Sequence, residues 1–254
     1  MQPVPGDPSV EHYLRRLVGR LRSILGDGLL GVWLVNSAAR DDYLPGRSDL
    51  DVTVGIADAL DAAVKRRLAD ALRHAALPCP APRLELVVYR RAVLADPGAR
   101  PGFEVNLNTG PAIVDHVTFD VAEEPPHWFV LDLAGARQRS RTIAGPPLEQ
   151  LLGPIDDGVV IEALRASQAW HAAHDGDAPN RVLNACRAWR WLDERRWSSK
   201  SEAAAWAIRR GADPRPIELA LARRRGDADE PLPPRSVATL LAEVDERLRS
   251  ATRS

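Results

Sequence analysis

Three acidic residues interrupt stretches that are otherwise apolar and strand-like. Asp49 and Asp51 lie two residues apart in Asp49-Leu50-Asp51-Val52, and Glu85 interrupts the apolar run from Leu84 to Val88. Alternate residues of a strand share a face, so the two aspartates should project together, about 6–7 Å apart at the backbone. Three carboxylates on adjacent strands could hold two Mg²⁺ ions and orient an attacking hydroxyl for displacement at phosphorus.

A simpler interpretation of these acids is a solvated strand face. Asp-Leu-Asp alone favours an exposed edge strand, and Glu85 alone is equally consistent with a surface position. The preceding sequence changes this balance, because Asn36-Ser37 follows an apolar run and Ser48 directly precedes Asp49. Backbone N–H groups and hydroxyls in a tight turn form a concavity that binds anions. A turn of this kind is compatible with an anion bound beside a metal ion.

Lys200 is notable because the chain contains almost no lysine. Of the 34 basic residues, Lys65 is the other lysine and the rest are arginines. Ser199-x-x-Glu202 has the form of a capping box, which places Lys200 in the first turn of a helix, where a cation opposes the helix dipole. A phosphate at the same helix N-terminus would explain the lysine. The alternative is a solvated lysine with its ammonium group turned away.

The elements that must position these residues fall into two halves. Strands are predicted for residues 29–35, 49–54, 84–89, 104–107 and 117–121, helices for residues 9–25 and 59–76, and a loop for residues 36–47. Five further helices are predicted for residues 155–174, 180–197, 199–210, 214–225 and 236–249. We therefore predict an α/β (α+β) domain with a mixed sheet over residues 1–153, followed by an all-α helical-bundle domain over residues 154–254.

Composition narrows the class of protein. The 254 residues carry a formal net charge of −1 and are 45% hydrophobic, as expected for a folded cytoplasmic protein. The balance of charge gives no reason to expect a nucleic-acid partner, and the apolar runs are too short to cross a membrane. Cys79 and Cys186 are far apart and fit no metal-ligand spacing, so we expect reduced thiols. We expect a monomer.

The serine and aspartate elements together resemble a known signature. Asn36-Ser37 followed by Ser48-Asp49-Leu50-Asp51 resembles the pattern of the polymerase-beta-like nucleotidyltransferases. The resemblance implies that Ser37 and Ser48 bind the triphosphate and that Asp49 and Asp51 bind the metal. Asn36 departs from the pattern, because the family usually has glycine there, although asparagine tolerates a positive φ better than other non-glycine residues.

The helical half resembles the C-terminal domain of the streptomycin/spectinomycin adenylyltransferases, the aminoglycoside (3'')(9) nucleotidyltransferases. Two stretches carry the resemblance, residues 176–189 and 199–207. It implies that Asn180 and Lys200 contact the nucleotide phosphates and that Asp177 contacts the aminoglycoside. It also implies that Glu85 is the catalytic base at the acceptor hydroxyl. Asp177 could instead cap the helix that follows it.

The resemblance implies an enzyme that uses Mg²⁺ to transfer AMP from ATP to a hydroxyl of a cationic aminoglycoside, conferring antibiotic resistance. Glu85 and Asp177 would attract the positively charged acceptor. Three alternatives stay open. The first is the same chemistry on a different small molecule, which is favoured because the tryptophan that helps the family bind streptomycin has no counterpart around residues 106–115. The second is a non-catalytic protein with the nucleotidyltransferase fold, and the third is a toxin–antitoxin component.

Overall fold

The computed structural model describes residues 8–252, which form two compact units. One unit ends at Ile155 and the other begins at Asp156, close to the predicted joint at Gly153-Pro154. Residues 1–7 of the predicted N-terminal domain and residues 253–254 of the predicted C-terminal domain lie outside the described residues. Across residues 8–252, none of the helices has the length and apolar character needed to span a membrane.

The first unit is built on a six-stranded sheet in the order β5-β4-β3-β2-β1-β6. Its strands are β1 Leu29–Leu34, β2 Leu50–Ile56, β3 Leu84–Arg90, β4 Val105–Thr109, β5 His116–Thr118 and β6 Arg141–Ala144. Its helices are α1 Pro8–Leu25, α2 Asn36–Ala39, α3 Ala62–Leu72, α4 Arg91–Ala95 and α5 Pro126–Gln138. In the described sheet β2 and β3 are parallel, with α3 in their connection, and the other four neighbouring pairs are antiparallel. The predicted mixed sheet is confirmed.

Alternation along the strands separates two apolar cores. Leu50, Val52 and Val54 of β2 join one core with α1 and α3 on the first face of the sheet. Trp33 of β1 and residues of α5 contribute to a second core on the other face. Successive side chains of a strand point to opposite faces, so Asp51 and Glu85 project from the face that carries the second core.

The second unit is all-helical, as predicted. Its helices are α6 Asp157–His174, α7 Pro179–Glu194, α8 Lys200–Arg209, α9 Pro214–Arg225 and α10 Pro234–Thr252. Helix α7 packs against each of the other four. Trp189 and Trp206 meet edge to face with ring centroids 5.4 Å apart, and both are buried, so they pack in the interior of this unit. Cys79 and Cys186 are buried free thiols, again as predicted.

Several local predictions for the first unit were wrong. Asn36–Ala39 forms a helical turn inside the predicted loop, and the strand predicted for residues 117–121 covers only His116–Thr118. Helix α5 and strand β6 were not predicted. Helix α5 begins at Pro126, and the Pro125-Pro126 pair resembles a break in the sequence. The helix buries residues around much of its circumference, so the sequence shows no polar stripe with a helical period. Strand β6 is a short edge strand of half-buried residues.

Candidate active site

A row of polar residues crosses four strands of the sheet. Asp51 of β2 pairs with Glu85 of β3, Glu85 pairs with Asn108 of β4, and Asn108 pairs with His116 of β5. Neighbouring strands lie about 4.8 Å apart, so each member of the row is next to the following one. The register therefore brings a predicted metal ligand and the predicted catalytic base side by side.

Arg83 links the first predicted metal ligand to the predicted base. Its Nη2 atom donates to Asp49 Oδ2 and to Glu85 Oε1, each at 2.6 Å. The side chains of Asp49, Glu85 and Arg83 are 29%, 32% and 39% exposed, so this group reaches solvent. One guanidinium thus joins the two carboxylates, a contact that the sequence did not reveal.

Asp132 on α5 adds a fourth carboxylate that sequence reasoning missed. Asn36 Nδ2 donates to Asp132 Oδ1 at 3.0 Å, and the Asn36 side chain also hydrogen-bonds Asp51. Asp132 was missed because α5 was missed. The available signal was a lone acid in the apolar stretch from Phe129 to Ala134. Asn36 therefore connects the turn after β1 to two acids of the cluster.

Burial and like charge oppose full ionisation of these acids. Burial raises the pKa of Asp51 well above its usual range, and the negative charges of Glu85, Asp132 and Asp49 raise it further. Burial also raises the pKa of Glu85, although the Arg83 guanidinium acts in the opposite direction. The pKa of Arg83 lies above its ordinary value, because its acidic neighbours outweigh burial, which alone would lower it. The cluster carries more negative charge than one arginine balances.

This donor set suits a divalent cation. Carboxylate oxygens are the ligands that Mg²⁺ prefers, and the excess of negative charge calls for a further cation. The Arg83 guanidinium lies where a cation would neutralise Asp49 and Glu85. Over residues 8–252, no three or more acidic, histidine or cysteine side chains are arranged as they stand to hold a metal ion. The chemistry of these residues thus fits the predicted Mg²⁺. That Asp49, Asp51 and Glu85 are its ligands stays a prediction.

The two predicted phosphate-binding serines lie in turns that precede the acids in sequence. Ser37 is in the first turn of α2, directly after Asn36, whose φ of 50° is left-handed. Ser48 closes the loop before β2, since its Oγ accepts from the backbone N–H of Leu44 at 3.0 Å. Both serines thus lie in turns beside the β1–β2 pair, and their contact with phosphate stays a prediction.

In the second unit, the two predicted nucleotide-binding residues contact each other. Lys200 Nζ donates to Asn180 Oδ1 at 2.8 Å. The predicted capping box is confirmed, with Ser199 Oγ accepting from Glu202 N and the Glu202 carboxylate accepting from Ser199 N. Lys200 is therefore the first residue of α8, at the positive end of the helix dipole.

Asp177 has a structural role that the sequence did not indicate. Its Oδ2 accepts from Arg223 Nη1 at 2.6 Å, and its Oδ1 accepts from the backbone N–H of Leu232 at 2.9 Å. The residue preceding α7 is Ala178, with no side-chain cap, so the capping alternative for Asp177 was wrong. Asp177 instead connects the α6–α7 loop to α9 and to the segment that follows it.

A mixed sheet with acids on its parallel central strands and serine turns beside them, joined in one chain to a helical unit, defines a nucleotidyltransferase. Residues 150–246 match the family model of the aminoglycoside adenylyltransferase C-terminal domain. Aminoglycoside (3'')(9) adenylyltransferases of Klebsiella pneumoniae and Escherichia coli are 30% identical over 211 residues, 79% of this chain and 79% of each relative. The chain belongs to this family, and it is an enzyme, as the sequence predicted.

A solved structure agrees with this assignment at the level of the fold. The spectinomycin adenyltransferase of Enterococcus faecialis, crystallised with ATP and spectinomycin, matches with a TM-score of 0.73 and 19% identity. The match covers 95% of this chain and 100% of that one. The predicted fold class, a nucleotidyltransferase domain followed by a helical domain, is confirmed.

Proposed function

We propose that this enzyme transfers AMP from ATP to a hydroxyl of a cationic aminoglycoside of the spectinomycin or streptomycin type, and so confers resistance. The observation that carries the proposal is the pairing of Asp51 with Glu85 on adjacent parallel strands, beside Asp49. This arrangement places a base next to two candidate metal ligands. The Enterococcus structure with ATP and spectinomycin supports the choice of both substrates.

Glu85 is the proposed base in this reaction. Its carboxylate accepts the proton of the acceptor hydroxyl as that oxygen attacks the α-phosphorus of ATP, and pyrophosphate leaves. Asp49 and Asp51 are the proposed ligands of Mg²⁺, which neutralises phosphate charge when bound. Arg83 contacts Glu85 and favours its ionised form, which is the form that can accept a proton.

Four further residues are proposed to bind the nucleotide. Ser37 and Ser48 would contact the triphosphate from their turns. Lys200 would contact a phosphate from the N-terminus of α8, with Asn180 orienting its ammonium group. Because lysine carries three N–H donors, one bond to Asn180 is compatible with contacts to a phosphate.

The acceptor is proposed to bind along the polar row and at Asp177. Asn108 lies opposite Glu85, and the neighbouring Asn106 donates to Glu124 Oε1 at 3.1 Å. His116 also contacts Glu124, so amides, an imidazole and a carboxylate extend the row away from the base. Such a strip offers donors and acceptors to a polyhydroxylated amine. A carboxylate has about four lone-pair positions. Asp177 can therefore accept hydrogen bonds from a bound aminoglycoside in addition to its bonds from Arg223 and Leu232.

The direct test is to incubate the purified enzyme with Mg²⁺, ATP and a panel of aminoglycosides. The expected product is one acceptor with the added mass of a single AMP. Transfer to no aminoglycoside, with transfer to another hydroxyl compound, would favour the alternative acceptor class.

The variant Glu85→Gln tests the assignment of the base. We expect AMP transfer to fall by roughly 10²-fold or more, because the amide cannot accept the hydroxyl proton. ATP binding, measured by calorimetry, should stay close to that of the parent enzyme. Glu149→Gln at an exposed position is the matched control and should retain full activity. Transfer retained by Glu85→Gln would remove Glu85 from the role of base.

A further inference from the structure

We propose that Arg83 is a positioning residue that acts as an internal counter-ion, held by Asp49 and Glu85 until a divalent ion displaces it from Asp49. This inference rests on the proposed function, since it concerns the same acids. It assigns to Arg83 a task that no motif in the sequence indicated. On this view Arg83 sets the affinity of the metal-free enzyme for its ion.

The geometry allows the side chain of Arg83 to move while its backbone stays in place. The Arg83 carbonyl oxygen accepts from the backbone N–H of Leu50 at 2.8 Å, which joins the residue to the start of β2. The side chain is 39% exposed, so the guanidinium can leave Asp49 without disturbing an apolar core. An arginine with a fixed backbone and a solvent-accessible head is suited to exchange with another cation.

Competition between the two cations follows from their shared ligand. Nη2 of Arg83 lies 2.6 Å from Asp49 Oδ2, which is a candidate donor to the ion. Mg²⁺ binds oxygen at about 2.0–2.1 Å, so an ion on that oxygen would lie close to the guanidinium and repel it. The ion and the Arg83 guanidinium therefore compete for Asp49.

The second contact of Arg83 determines what remains after exchange. Nη2 of Arg83 also contacts Glu85 Oε1 at 2.6 Å. When an ion takes Asp49, the guanidinium keeps Glu85 as its partner. Arg83 would then hold Glu85 as an oriented carboxylate, while the ion balances Asp49 and Asp51. Binding of the ion at Asp49 would therefore also leave Glu85 oriented by Arg83 as the base.

The test is to measure Mn²⁺ binding without nucleotide, by the EPR signal of the free ion, for the parent enzyme and for Arg83→Gln. Removing the competing charge should tighten Mn²⁺ binding roughly tenfold. Arg90→Gln is the matched control, since Arg90 is the last residue of β3, which Arg83 directly precedes, and its side chain is 42% exposed and pairs with Glu104. That control should leave Mn²⁺ affinity unchanged.

Further measurements cover the other outcomes. Arg83→Lys keeps the charge but cannot reproduce the guanidinium geometry, so a roughly threefold tightening is expected. It replaces the glutamine variant if that variant fails to fold. Unchanged or weaker Mn²⁺ binding in the variants, or no binding to any of the proteins, would overturn the inference. The proposed function fails separately, because absence of AMP transfer to every acceptor would leave the Mn²⁺ comparison intact.

Discussion

Asn36 adopts a φ of 50° where the nucleotidyltransferase signature usually has glycine, so the turn after β1 keeps its left-handed conformation. Its side chain is engaged by Asp132 at 3.0 Å and by Asp51. The Asn36 amide is therefore used within the acid cluster. Asparagine in place of glycine thus adds a side chain to the turn, and that side chain positions two carboxylates of the cluster.

Two variants of Asn36 separate the backbone effect from the side-chain effect. Both Asn36→Gly and Asn36→Ala lose the bond to Asp132, but only alanine carries a Cβ into the left-handed region. We expect the free energy of unfolding to be lower for Asn36→Ala than for Asn36→Gly by about 1 kcal/mol. Urea denaturation of both variants in EDTA measures this difference. Equal stabilities would show that the turn relaxes and that φ imposes no cost.

Asp51 illustrates how a functional residue can reduce stability. Burial and three other carboxylates raise its pKa, so its charge is unfavourable in the metal-free fold. We expect Asp51→Asn to raise the free energy of unfolding by about 1 kcal/mol in EDTA at pH 8, because the amide keeps the shape and removes the charge. AMP transfer should be lost.

The comparison for Asp51→Asn is thermal unfolding with and without Mg²⁺ and ATP. The parent enzyme should gain stability from these ligands, and the variant should gain much less, because an amide is a weaker metal ligand. Asp70→Asn, on an exposed part of α3, is the control and should match the parent in both conditions. A variant less stable than the parent in EDTA would contradict the repulsion argument.

At the scale of elements, the sequence predicted what local patterns determine. Alternation in β2 indicated that Asp51 leaves the apolar face of its strand, and the capping box located the start of α8. Pairing between strands is not local, so the register that sets Asp51 beside Glu85 could not be derived. Asp132 could not be placed either, because α5 is buried on many sides and lacks a polar stripe.

The start of α8 provides a prediction at the same scale. Lys200 lies at a helix N-terminus, where a cation is unfavourable unless an anion joins it. We expect Lys200→Ala to raise the Kd for ATP roughly tenfold and Lys200→Arg to raise it less, since the charge is kept. Calorimetry with Mg²⁺ and ATP measures both constants.

Lys65 offers the matched control for that measurement, as the other lysine of the chain. It pairs with Glu104 at 2.9 Å, and the Glu104 side chain is 7% exposed. Lys65→Ala should therefore lower the melting temperature, because it weakens a buried ion pair, yet leave the Kd for ATP unchanged. If Lys200→Ala leaves the Kd for ATP unchanged, Lys200 is a solvated lysine whose ammonium group does not contact the nucleotide.

At the scale of the whole molecule, the charge is nearly balanced, with a formal net charge of −1. A general field from the protein would therefore do little to attract a cationic acceptor. On the proposed function, the attraction arises from local carboxylates, which are Asp177 and the cluster of Asp49, Asp51, Glu85 and Asp132. Binding of the acceptor should then depend on short-range electrostatics within this cluster.

Salt dependence of the KM for the acceptor tests this local attraction. The Debye length falls from about 10 Å at 0.1 M salt to about 3 Å at 1 M, so added salt screens the cluster from an approaching cation. We expect the KM of the acceptor to rise several-fold between these salt concentrations, and to rise more for an acceptor with more cationic groups. Steady-state kinetics at saturating Mg²⁺ and ATP, with two acceptors of different charge, supplies the comparison. If both KM values rise equally, the salt acts on the protein in general, and the carboxylates do not select the acceptor by its charge.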